Sequence, residues 1–369
     1  MLRFLTAGES HGPCLTAIVE GLPAGLAVDT EAINRELARR QSGYGRGGRM
    51  DIERDKAEIL GGVISGHTMG APVALRIANL DWSNWRDRWA GEDLPPLTVP
   101  RPGHADYAGM VKYDLRDARP VLERASARET ACRVAVGALA KQLLAQFDVT
   151  VGSYVTDIGG VTAKIPGLSP QELWALADSS DVRCPDVDAA KRMREAIDSA
   201  RSDGDSLGGV FVVTATGVPV GLGSHVQWDR RLDARLSAAI MSIPAVKGVE
   251  IGPAFDNSRR RGTQVHDAFH PNGKGGITRR TNRAGGIEGG MTNGMPVTVR
   301  VALKPIPTTV APQSSVDLTS GEPAQTQYQR SDVCVVPAAS VIGEAMIAWV
   351  LAAALVEKLG GDSLAEMAR

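Results

Sequence analysis

The clearest apolar pattern in the chain lies between residues 126 and 145. Ala131, Val134, Ala135, Ala138, Leu139 and Leu143 recur every three or four positions, which predicts a helix with one small, apolar face for burial. Just ahead of it, Ser126 and Glu129 have the spacing of a reciprocal capping box and mark the helix entrance. The same period predicts a capped helix at Thr30 with Ile33, Leu37 and Arg40, a peripheral helix pair within residues 170–202, and an amphipathic helix over 229–242. A long apolar helix is expected over residues 338–359. Trp82, Trp85 and Trp89 sit at helical spacing and predict a packed aromatic face. Alternating or short apolar runs predict strands at residues 2–5, 14–19, 210–216 and 297–303. Residues 310–329 carry little pattern and read as a surface loop.

Residues 59–77 and 286–301 echo each other, with paired glycines, a glycine four residues on, Gly-x-Pro-Val and an alternating strand ending in Arg. The copies differ by an apparent insertion of about one turn, and they predict two similar β-rich halves. A length of 369 residues suits one large domain, or two such halves intimately joined.

Composition narrows the function. Net charge is −1 and the sequence pI about 6.6, so no global field draws the chain to nucleic acid or membrane, and anion recognition must be local. Glycine, at 41 residues, exceeds its usual share of about 7% while aromatics reach only 4%, which favours tight turns over base-stacking platforms. Cys14, Cys132, Cys184 and Cys334 are isolated, without CxxC or metal-ligand spacing, and read as reduced cytoplasmic thiols. The N-terminal stretch reaches a glycine-rich turn too soon for a secretory signal. The longest apolar run, residues 345–356, is short of the ~20 residues of a membrane span, so a soluble protein is expected.

Candidate chemistry clusters on turns. His11 stands between Glu9, Ser10 and two glycines at a strand end, and His104 follows the Pro102–Gly103 turn. Arg124 and Arg128 flank the helix entrance, where unpaired N–H groups and the macrodipole favour an anion. Arg39, Arg40, Arg46 and Arg49 lie on a glycine-hinged arm able to grip carboxylates or phosphates. Lys304 and Thr308 project at a strand end stopped by prolines, and Arg330 with Asp332 pairs a cation with a carboxylate. These residues alone leave an RNA-binding arm and a flavin-independent phosphate lyase or phosphatase as alternatives.

GESHG at 8–12, RRQSGYGR at 39–46, RPGHAD at 101–106, ERASARET at 123–130, NRAGGIEGGMTNG at 282–294, KPIPTT at 304–309 and RSDVCVVPA at 330–338 together resemble the ordered signature blocks of the chorismate synthase family. The resemblance implies an α+β fold, a β-α-β sandwich with central helices between antiparallel sheets, internally duplicated, and a homotetramer. It implies a lyase that converts 5-enolpyruvylshikimate 3-phosphate to chorismate and phosphate by anti-1,4-elimination. Reduced FMN would be required, with NADPH or an external flavin reductase supplying the reduction.

By the same match Arg40 and Arg46 are the anion-binding arginines usually associated with NADPH. Arg124, Ala125, Ser126, Pro244, Ala245, Gly289, Lys304, Pro305, Ile306, Pro307, Thr308 and Arg330 correspond to flavin-contacting positions. His11, His104 and Asp332 correspond to the catalytic histidines and aspartate. On this reading His11 protonates the departing phosphate, His104 holds or protonates the reduced flavin near nitrogen 1, and Asp332 relays the carbon 6 proton through flavin nitrogen 5. Pro253-Ala254 and Gln327-Tyr328 depart from the family pattern and put local loop shape in doubt.

Overall fold

The computed structural model describes residues 1–48, 52–90, 94–273 and 275–369. In the first half, β1 (Arg3–Ala7) and β2 (Cys14–Glu20) precede α1 (Thr30–Gln41), then β3 (Ala57–Gly61) and β4 (Val73–Ala78). Short helices α2 (Trp82–Ala90), α3 (Asp106–Tyr113) and α4 (Arg119–Ala125) lead into α5 (Thr130–Ala145). Next come β5 (Thr150–Ile158), the peripheral pair α6 (Pro170–Asp178) and α7 (Val187–Ser202), and β6 (Gly209–Thr216). The second half closes with α8 (Leu232–Met241), β7 (Val246–Ile251), β8 (Val297–Leu303) and α9 (Val336–Leu359).

Both main sheets are antiparallel; the first runs β1-β2-β4-β3, and the second repeats that order as β5-β6-β8-β7 with a further short strand, Val161–Thr162, paired on the outer edge of β5. Alternation dictates which faces turn inward: Val73, Leu75 and Ile77 of β4, and Val297, Val299, Val301 and Leu303 of β8, are all buried. α5 covers β2 and β4, α9 covers β5 and β6, and the two helices pack on each other.

The sequence echo aligns residue for residue, without the expected insertion. Gly62 (φ 86°) and Gly286 (φ 79°) each open a two-residue hairpin, and a Cβ at either would lie 2.3 Å or 2.5 Å from the carbonyl oxygen of Pro72 or Pro296. Inside those hairpins Thr68 and Thr292 make the same bonds, donating to Pro23 O and Pro219 O (both 2.6 Å) and accepting from the N–H of Leu26 and Leu222.

Gly137 brings α5 against α9. A Cβ there would sit 2.3 Å from the Cβ of Ala345. Gly137→Ala is therefore expected to destabilise the fold by about 1–3 kcal/mol through overpacking, more than the gain of about 1 kcal/mol in helix propensity. A raised urea midpoint would contradict that close approach.

Four expectations change. The helix α9 is long and apolar enough to cross a membrane, but its apolar window is 94% buried inside the protein. Residues 310–329 contain a hairpin, Ser314–Val316 with Pro323–Gln325, braced on the preceding loop by Leu318 N–H to Thr98 O (3.0 Å) and Ser315 Oγ to Pro100 O (2.6 Å). Asp29, not Thr30, caps α1, accepting from Ala32 N–H at 3.0 Å. The capping box does not form. Ser126 caps a single 3₁₀ turn, and the Glu129 carboxylate goes to Thr6 Oγ1 (2.8 Å) and Arg133 Nε (2.9 Å), because that turn separates it from the start of α5.

Candidate active site

The loops at the ends of β1, β4 and β8 meet the α4–α5 junction around a cleft of about 1430 Å³. That exceeds the roughly 300–1,000 Å³ of a pocket for one small ligand. Ala338, Ala339, Ile342 and Met346 of α9 give it an apolar wall, and the other walls carry ten Arg and Lys side chains against three Asp and Glu.

His11 lies on the turn between β1 and β2. Its backbone N–H donates to Glu123 Oε2 at 2.8 Å, and its Nδ1 is 2.7 Å from Glu123 Oε1. Trp85 stacks on the ring at 4.1 Å between centroids. The tryptophan face expected to be wholly packed is thus divided: Trp82 and Trp89 meet edge to face, while Trp85 lines the cleft. His104 also lines it, with Nδ1 at 2.5 Å from Asp106 Oδ1 and at 3.0 Å from Arg101 Nη2. Burial pushes the Asp106 carboxyl up, but hydrogen bonds from His104 and Arg101, with the Arg101 charge, outweigh it and hold the group below the usual carboxylate range.

Among the described residues, the arginines of the arm are held by partners within the fold. Arg39 turns inward to Glu344, and Arg40, only 4% exposed, donates to Thr130 Oγ1 (3.0 Å) and Ala127 O (2.9 Å) and faces Asp55. Burial draws the Arg40 guanidinium down to about 10, against the pull of Asp55, so it stays charged at neutral pH. Arg46 pairs with Asp332 at 3.0 Å, and Asp332 also accepts from Gly47 N–H at 2.6 Å. A Cβ at Gly47 would lie 2.4 Å from the Ser331 carbonyl oxygen, so glycine permits this approach. Arg49 falls outside the described residues. The anticipated Arg330–Asp332 pair is absent among the described residues, where Arg330 instead reaches Asp81 at the end of β4. Arg128 is likewise fixed rather than mobile, held by Asp55 and Asn79.

Most of the remaining expected positions meet here. Arg124 donates to the carbonyl oxygens of Thr6 (3.0 Å) and Gly8 (3.2 Å), and Ser126 Oγ to Ser10 Oγ (3.1 Å), beside Ala125. Ala245 (φ 69°) holds a left-handed backbone beside Pro244, a conformation that is costly for a non-glycine residue. Its carbonyl accepts from Lys304 N–H at 3.0 Å, and Lys304 Nζ donates to Gly103 O. Ile306, Pro307 and Thr308 line the cleft, with Thr308 Oγ1 3.0 Å from Arg101 Nη1. Gly289, exposed on its hairpin, and Pro305 do not line it. Trp85, Glu123, Arg101, Arg133 and Lys247 are contributors that sequence reasoning did not single out as site residues. For Glu123 and Arg101 the only signal was membership of the ERASARET and RPGHAD blocks.

A large cationic cleft with carboxylate-backed imidazoles and an apolar wall defines an enzyme for polyanionic small molecules. The comparisons make this specific. The family model for chorismate synthase matches residues 2–356. Chorismate synthases of Desulforudis audaxviator and Chlorobaculum tepidum are 58% and 54% identical, covering 100% of this chain and 95% and 96% of theirs. A crystal structure of chorismate synthase is similar with a TM-score of 0.81 at 46% identity, covering 100% of this chain and 95% of that one. The chain belongs to the chorismate synthase family, flavin-dependent carbon–oxygen lyases that act at the final shikimate-pathway step toward aromatic amino acids.

Proposed function

We propose that the cleft binds 5-enolpyruvylshikimate 3-phosphate beside reduced FMN and eliminates phosphate to give chorismate. The observation that carries this is the cleft of about 1430 Å³ with ten cationic side chains. Two carboxylates and a phosphate on the substrate, and a further phosphate on FMN, need that volume and that charge. The donor set fits a flavin: the α9 wall suits an apolar ring system, and Arg124, Ser126, Lys304, Thr308 and Arg330 suit its polar groups and phosphate. Flavin contacts at Pro305 and Gly289 rest on the motif match alone. Reduced FMN, when bound, supplies electron density that weakens the carbon–oxygen bond and is returned, so the reaction has no net redox change.

In the elimination the carbon 6 hydrogen leaves as a proton, its electron pair shifts through the ring double bond, and the bond from carbon 3 to phosphate oxygen breaks. His11 protonates the departing phosphate, and Asp332 serves the proton-accepting side. His104, braced by Asp106 and Arg101, is assigned to the flavin. Arg40 and Arg46 face the cleft, which favours a role toward its bound anions, with NADPH as the reductant of the flavin or a separate reductase in its place.

The shared strand order and matched hairpins support one domain, residues 1–369, of two similar halves, and the position of α5 and α9 supports the β-α-β sandwich with central helices. A cytoplasmic homotetramer follows the family match.

Anaerobic assays with FMN should give many turnovers per reduced flavin. Product formed one for one with dithionite or NADPH consumed would overturn the elimination.

A further inference from the structure

A neutral imidazole carries its proton on either nitrogen, and the partner of one nitrogen decides which. We propose that Glu123 is the positioning residue of His11, holding the ring proton on Nδ1 so that Nε2 is the nitrogen that exchanges protons in the cleft. The inference rests on the reading of His11 as proton donor, and it adds what makes the ring competent for that task.

Glu123 is 4% exposed on α4 and grips the His11 turn three times. Its backbone carbonyl accepts from Ser10 N–H at 3.1 Å, Oε2 accepts from His11 N–H at 2.8 Å, and Oε1 lies 2.7 Å from His11 Nδ1. Oε2 already takes the His11 backbone N–H, and in the proposed arrangement Oε1 accepts as well, which makes Nδ1 the donor. Trp85, tilted 31° to the ring, holds its plane. His104 is built differently, because Nδ1 there faces both an acceptor, Asp106, and a donor, Arg101. During the reaction the doubly protonated ring gives its Nε2 proton to the phosphate oxygen as the carbon–oxygen bond breaks. It ends neutral with Nδ1–H still on Glu123, and water supplies the next proton.

Glu123→Gln tests the arrangement without changing shape. The His11 backbone N–H still requires an acceptor, so the amide oxygen takes the Oε2 position and the NH₂ group faces Nδ1. The ring must then accept at Nδ1 and carry its proton on Nε2. In ¹⁵N-histidine-labelled protein, two-bond ¹H–¹⁵N correlations should show neutral His11 protonated at Nδ1 in the wild type and at Nε2 in the variant. Turnover should fall about 10–100-fold, by analogy with loss of the carboxylate behind a metal-bound histidine, with KM little changed. A substrate analogue with a better leaving group should recover part of that loss. A wild-type His11 protonated at Nε2 would overturn the inference even if the variant failed to fold, and so would an unchanged variant spectrum. A switched ring with undiminished turnover would uphold the Glu123 contact and remove His11 from phosphate protonation.

Discussion

Glu344→Gln is expected to lower the unfolding free energy by about 3–5 kcal/mol at pH 7, the loss typical of removing one partner from a buried ion cluster. Glu344 is fully buried in the middle of α9. Its oxygens accept from Arg39 (2.8 and 2.9 Å), Lys141 (2.6 Å), Arg183 (3.0 Å) and Ser153 Oγ (2.6 Å). Glutamine keeps the volume but leaves three cations without that charge and turns an NH₂ group toward their donors. Burial pushes the carboxyl up, but Lys141, Arg39 and Arg183 outweigh it and hold it below the unfolded value of 4.5. A depressed folded value means the contribution is complete above about pH 4.5 and is lost as pH falls further. The gap between wild type and variant in urea unfolding should therefore be widest near neutrality and narrow on acidification. A gap equally wide at pH 7 and pH 3.5, or none at pH 7, would show that the cluster does not act as charge compensation.

Asp332→Asn should reduce turnover by roughly 10²–10⁴-fold, the range for a general acid–base group. Its surroundings make the substitution informative. Asparagine can still accept from Gly47 N–H, so the approach of residues 46–48 to 331–332 survives, but the neutralising charge beside Arg46 is gone. Arg46 would then attract an anionic substrate no less strongly, so kcat should fall without a rise in KM. His11→Ala should also slow the reaction, and an analogue with a better leaving group should rescue it partly. The same analogue should not rescue Asp332→Asn, whose lost function lies on the proton-accepting side. Anaerobic single turnovers with flavin reduced beforehand isolate this step. A rate near wild type would leave Asp332 as the ion-pair partner of Arg46 and nothing more.

What the sequence disclosed depends on the range of each interaction. The α5 face was legible because each turn repeats the last, and β8 because its alternation matches one buried face. Motif blocks named His11, His104 and Asp332 and most of the cleft. They could not show that Asp332 would pair with Arg46 rather than Arg330, since a cation two residues away was the nearest one in sequence. Trp82, Trp85 and Trp89 shared a helical face, but nothing local showed that Trp85 would look onto His11. Glu123 contacts a histidine 112 positions away, a closure set by packing of α4 against the β1–β2 turn. The hairpin within residues 310–329 was hidden by Pro323 and polar residues, and it forms because the loop at residues 98–100 supplies partners.

The position of α9 in the chain shapes how the protein is made. It packs on α1, α5, α8, β5 and β6, all of which leave the ribosome before it. The faces of these elements that α9 covers gain that cover only after it has been made. Apolar surface left uncovered in this way favours aggregation until it is buried.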